Sequence, residues 1–135
     1  MLSKNLAAAY VASVITLAGM DLLWLGIAAR DFYQNRLGHL LGKEVHWWAA
    51  GIFYALYAAG VLFFATAPAI EKYSLVGAAL RGGLLGLLTY AAYNLTNLAL
   101  LKDWPADLAA ADTLWGIIIT SSVSMAGFLA SRRLF

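Results

Sequence analysis

Four apolar runs, each long enough to cross a bilayer as a helix, leave little of this chain for any other kind of structure. They lie at about residues 6–29, 47–66, 76–101 and 108–130. At about 1.5 Å of rise per residue, roughly 20 residues span the hydrocarbon core. The composition agrees: 63% of the 135 residues are hydrophobic, 12% are charged, and mean hydropathy is strongly positive, which no soluble domain matches. With no Ser-rich or Pro-rich linker, the expectation is one all-α domain over residues 1–135, an integral membrane antiparallel bundle of four transmembrane helices. Membrane lipids are then its first partners.

The same composition removes several function classes. A formal charge of +2 is too small to argue for nucleic acid, and the basic residues sit at the ends of apolar runs, where Lys and Arg snorkel in any case. Without cysteine there are no disulfides, thiolate metal sites or iron–sulfur ligands. No HExxH or clustered-histidine pattern is present, so neither a metal nor a cofactor is expected.

The first run follows Ser3 and Lys4. A signal peptide is the competing reading, because Ala28 and Ala29 imitate a cleavage site. The length of the run, Asp21 inside it and the spans that follow favour a retained helix. Tyr10, Val14, Leu17, Asp21 and Trp24 share one stripe of that helix. Residues 30–46 form the one sizeable polar connection. Phe32, Leu37, Leu40 and Leu41 give it an apolar side suited to the membrane surface. An interfacial connector is preferred to a lid carrying His39, Glu44 and His46, because Gly38 and Gly42 interrupt any long rigid helix.

The second run opens on an anchoring pair, Trp47 and Trp48, carries Tyr54 and Tyr57, and is expected to end before Pro68. In the third, Gly82 and Gly86 form a GxxxG pair, read as intramolecular helix packing with a homodimer seam as the alternative. In the fourth, Asp112, Gly116, Thr120 and Ser124 recur every four residues as a small and polar stripe. Trp115 stands three beyond Asp112, as Trp24 stands three beyond Asp21. The tetrapeptides DLLW and DTLW suggest shared chemistry, but four residues on antiparallel helices do not make a repeat.

Within the third run, YAAYNLTN places Tyr90, Asn94 and Asn97 on one face, with Tyr93 beside it. Four crossings return both termini to one side of the membrane. Asp21 late in the first helix, Asn94 and Asn97 late in the third and Asp112 early in the fourth then fall in the same half. The tight turn after Leu101 makes the third and fourth helices neighbours, so Asp112 is expected to face Asn94 or Asn97. An ionised carboxylate in the bilayer centre costs at least about 2.5–3.5 kcal/mol, which makes intramembrane acids functional candidates. Asp112 alone, one turn into its helix, also fits a cap or anchor. Lys4, Lys72, Arg132 and Arg133 on the terminal side nearly balance Arg30, Arg36, Lys43 and Lys102 on the other. Cytoplasmic termini are the reading adopted, with dual topology as the alternative.

YNLTNLA at 93–99, KDWP at 102–105, Asp112 with Trp115 and Gly116, the D-x-x-W-L-G beginning at Asp21, and IFYALYAAG at 52–60 together resemble the domain-of-unknown-function family 2177. The resemblance covers nearly the whole chain. It implies a four-span protein of the bacterial inner membrane and brings no established activity. Where the family pattern has an aspartate after the tyrosine, this chain has Asn94, which keeps hydrogen bonding and loses the titratable proton. Any proton-carrying role passes to Asp21 and Asp112.

The leading function is binding, with transport as its extension, of a small-molecule or lipid-like ligand. Asp21 and Asp112 would supply charge or protons, Asn94 and Asn97 hydrogen bonds, and Trp24, Tyr90, Tyr93 and Trp115 the walls. One alternative is a structural subunit or assembly factor of a larger membrane complex, with the acids bonded across helices. The other is a membrane enzyme on lipid or isoprenoid substrates, with an aspartate as base and His39 or His46 assisting.

Overall fold

A computed structural model of the chain describes residues 2–132; Arg133 and the side chain of Lys4, both weighed above for orientation, lie outside the described part. Helix α1 (Leu2–Leu23) passes into a π-helical turn (Trp24–Ala28), and α2 (Arg30–Leu37) follows with a short 3₁₀ turn (Gly38–Leu40). Then come α3 (Trp47–Val61), a second π turn (Leu62–Thr66), α4 (Ala67–Glu71), α5 (Leu75–Leu100) and α6 (Ala106–Arg132). Among the described residues there is no strand. Four stretches of the described residues are long and apolar enough to cross a membrane: Asn5–Ala28, Trp47–Glu71, Leu75–Leu100 and Ala106–Arg132. The chain is a multi-pass, all-α membrane bundle, the class expected. Hydrocarbon offers no partner for a bare peptide group, so each crossing closes its backbone bonds within its own helix.

The second crossing corrects the expectation that it ends before Pro68. It continues to Glu71, because the π turn precedes the proline and Ala67 N–H bonds to the Leu62 carbonyl, five residues back. The wider turn accommodates a ring that has no N–H to give and would crowd the carbonyl four residues before it. The helix then stops in a Schellman arrangement. Tyr73 adopts φ +51°, its N–H bonds Ile70, and Ser74 N–H bonds Ala69 at 3.0 Å. Ser74 also caps α5, its Oγ accepting from Gly77 N–H at 2.8 Å. One short turn therefore ends one crossing and starts the next, which makes α4 and α5 antiparallel.

Helix α6 is the centre of the bundle, packed between α5 and α1. The outer faces carry the large apolar side chains, among them Ile15, Leu22, Leu56, Phe63, Phe64, Leu84 and Leu88. The inside mixes an apolar core of Leu17, Val61, Ile119, Val123 and Phe128 with small and polar residues, Ala9, Ser13, Ala58, Thr66, Ala78, Thr120 and Ser124, all buried. Apolar side chains outside and small residues at the helix contacts fit a membrane bundle, where lipid accepts apolar surface and close backbone approach holds helices together. A Cβ on Gly82 would come within 2.7 Å of the Thr120 carbonyl oxygen, and one on Gly86 would strike the Gly116 carbonyl. The GxxxG pair is thus used inside the molecule, against α6. Helix α3 packs on α1, while α5 meets the second crossing through the π turn Leu62–Thr66 and α4. Toward the connector end α3 and α5 diverge.

Candidate functional site

The two intramembrane acids hold separate sets of hydrogen-bond donors at the connector end of the bundle. Asp112 on α6 accepts from Tyr33 OH at 2.6 Å on Oδ1 and from Asn94 Nδ2 at 2.7 Å on Oδ2. Asp21 on α1 accepts from Tyr54 OH at 2.9 Å on Oδ2 and, in a longer contact, from Trp115 Nε1 at 3.4 Å on Oδ1. Trp24 Nε1 donates to Tyr33 OH at 3.1 Å, which makes the tyrosine both acceptor and donor. The Trp24 and Trp115 rings stack at 4.5 Å with an interplanar angle of 8°. Each tryptophan of the two D-x-x-W tetrapeptides therefore serves the other's acid. Trp115 bonds Asp21 directly, and Trp24 reaches Asp112 through Tyr33.

Local sequence explains the placement. Asn94 is fully buried because α5 and α6 approach closely below it; its Nδ2 also bonds the Tyr90 carbonyl at 3.0 Å. A Cβ at position 116 would overlap the Tyr90 ring, so Gly116 lets that ring lie against the α6 backbone. The Phe32, Tyr33 and Leu37 side of α2 rests on Trp104, Leu108 and Ala109, and an Arg36–Asp107 ion pair at 2.7 Å ties α2 to the start of α6. Tyr33 is thereby carried from the connector into the bundle. Burial, and then the bond it donates to Asp112, push its phenol well above the usual tyrosine range, so it stays a donor throughout the physiological range.

A cavity of about 390 Å³ lies between the acids, walled by Leu25, Phe53, Tyr57, Thr89, Tyr90, Tyr93 and Trp115 with Asp21 and Asp112. Tyr57 closes its inner end. Thr89 donates to the Leu85 carbonyl at 2.9 Å, so Tyr57 OH donates to Thr89 and accepts from Thr120. On the lipid side Leu25, Phe53 and Tyr93 are 44%, 45% and 54% exposed, which leaves the cavity open where α3 and α5 diverge. A second cavity of about 390 Å³, lined by Arg30, Tyr33, Gln34 and Trp104 among others, lies toward the connector and shares Leu25, Tyr93 and Asp112 with the first.

Of the eight residues singled out in the sequence, seven meet here: Asp21, Trp24, Tyr90, Tyr93, Asn94, Asp112 and Trp115. Asn97 does not. It makes no hydrogen bond to either acid and lines neither cavity, because three residues carry it about 4.5 Å further along α5 and about 60° around it. His39 and His46 are exposed on the connector and line neither cavity, so the imidazole assistance weighed for an enzyme has no geometry here. Tyr33 went unnoticed in the sequence. The available signal was a tyrosine on the apolar side of an interfacial helix, whose hydroxyl must find an acceptor.

Fold and site together define a four-span integral membrane bundle that keeps two carboxylates inside its helical core. A family model described as predicted membrane protein (DUF2177) matches residues 6–129, and the chain belongs to that family. No curated protein and no solved structure matches it.

Proposed function

We propose that this protein binds a lipid-like or other amphipathic small molecule in the cavity between Asp21 and Asp112, with transport as an extension of that binding. The observation that carries the reading is the cavity itself: about 390 Å³, mostly apolar and aromatic, with two carboxylates in its wall and an opening toward lipid. That combination is what a membrane-borne ligand with a polar end requires. The proposed setting is the bacterial inner membrane with cytoplasmic termini, which turns the cavity toward the outer half.

A structural role is the second reading, and one observation favours it. Asp112 bonds Asn94 and Tyr33 across helices, as a purely architectural acid would. Against it stands the open space beside both acids, which a packed core does not need.

Native mass spectrometry of the full chain, purified in a neutral detergent after exposure to a total lipid extract, separates the two. The expected result is an adduct retained by the wild type and lost in Leu25→Trp, which fills the mouth of the cavity. A wild type without any adduct, or equal retention in both proteins, would contradict binding in this cavity.

A further inference from the structure

We infer that the ligand of the cavity between Asp21 and Asp112 is an organic cation, an amphiphile bearing an amine or another positive centre on an apolar body. This deepens the binding reading above and rests on it.

The argument begins with donors and acceptors. All four carboxylate oxygens accept from a neutral group, namely Tyr33 and Asn94 for Asp112, and Tyr54 and Trp115 for Asp21. An indole N–H and an amide NH₂ have only protons to give, so one oxygen of each acid is held as an acceptor. Such a set suits carboxylates and supplies them with no positive charge. Among the described residues, no lysine or arginine lines this cavity. Arg36 is engaged with Asp107 at the start of α6. Arg30 lines the second cavity, which shares Asp112, but among the described residues it forms no salt bridge with that acid. Asn94 Oδ1, on a fully buried side chain, is a further acceptor with no donor beside it. The centre is short of protons and of positive charge, and buried charge is ordinarily paired.

The walls point the same way from a different observation. Phe53, Tyr57, Tyr90, Tyr93 and Trp115 surround the space, and the faces of aromatic rings attract cations, most strongly where water is excluded. An anion in this cavity would meet two acids and no cation in its wall. A neutral molecule would leave the charge of the acids unanswered. A cation answers both, and the volume fits a body of drug-like size. The positive centre belongs to one of two sources, the headgroup of an aminolipid or a free lipophilic amine, each entering between α3 and α5.

The test uses the full chain in a neutral maltoside detergent and two probes of the same shape and opposite charge, tetraphenylphosphonium and tetraphenylborate, followed by equilibrium dialysis. Saturable binding of the phosphonium alone is expected, weakened by about tenfold or more in Asp21→Asn and, independently, in Asp112→Asn. Both substitutions preserve size, and either one that folds suffices. Tetraphenylborate binding as tightly, with both probes excluded by Leu25→Trp, would overturn the charge assignment while leaving the cavity reading intact. Unchanged phosphonium affinity in the asparagine variants would overturn it as well. Saturable binding of neither probe overturns the cation assignment, and the lipid-adduct experiment then judges the cavity on its own. Displacement of the phosphonium by phosphatidylethanolamine but not by phosphatidylglycerol assigns an aminolipid, and displacement by neither assigns a free amine. Equal displacement by both lipids contradicts a cationic ligand.

Discussion

Tyr33 joins two parts of the molecule through one oxygen, accepting from Trp24 and donating to Asp112. Tyr33→Phe keeps the ring against Trp104 and Leu108 but leaves Asp112 Oδ1 and the Trp24 N–H without this partner. An unsatisfied buried polar group costs about 1–3 kcal/mol, so thermal unfolding in detergent should show a loss of that order. Asn94→Leu should cost a similar amount by removing the amide that serves Asp112 Oδ2. An aspartate at position 94 would hold the same bond only by keeping its proton. Much at this scale was legible in the sequence. Asp21 and Asp112 stand out because charge is rare in apolar runs, and helical spacing set Asn94 beside them. Tyr33 was not legible, because its role depends on how α2 folds back onto α6, and no local pattern encodes that. Asn97 stands one turn beyond the acids beside Tyr93, because seven-residue spacing places two side chains on one face without placing them at one depth.

Glycines divide sharply by what surrounds them, and that sets predictions for the helices. Gly82 and Gly86 lie where α5 touches the α6 backbone, and Gly116 lies under Tyr90, whereas nothing stands within 4 Å of a Cβ at Gly60. Gly86→Ala and Gly116→Ala should each destabilise by about 1–3 kcal/mol or more, since overpacking forces the helices apart. Gly60→Ala should be neutral or stabilising by about 0.5–1 kcal/mol, since alanine loses less conformational freedom in a helix. Unfolding of the three variants under one set of conditions checks the contrast. Tyr73, 81% exposed and left-handed in the turn before α5, offers the opposite gain. A left-handed non-glycine residue costs about 1–2 kcal/mol, so Tyr73→Gly should raise stability by about 0.5–1 kcal/mol after the entropy of the unfolded glycine is counted. Of these features the sequence announced the GxxxG pair. It hid the passage through Pro68, because the π turn that accommodates the ring comes from backbone register, which no single residue type marks.

Across the whole bundle, small residues draw α1, α5 and α6 together, while α3 leans away from α5 at the connector end and leaves space beside two acids. The four crossings were readable from hydropathy, and the shared depth of the acids followed from counting them. The divergence of α3 from α5 was not readable, since it is a matter of tertiary packing: the second crossing meets α5 chiefly at the far end, through the π turn Leu62–Thr66. The proposed ligand binding needs that opening, and a purely architectural role does not. The direct measurement is an experimental structure of the full chain in a lipid bilayer, at a resolution that distinguishes a bound molecule from ordered water. The account predicts density for an amphipathic molecule between Asp21, Tyr90 and Asp112, continuous with the gap between α3 and α5. A collapsed and fully packed core at that place, or water alone beside the two acids, would contradict it.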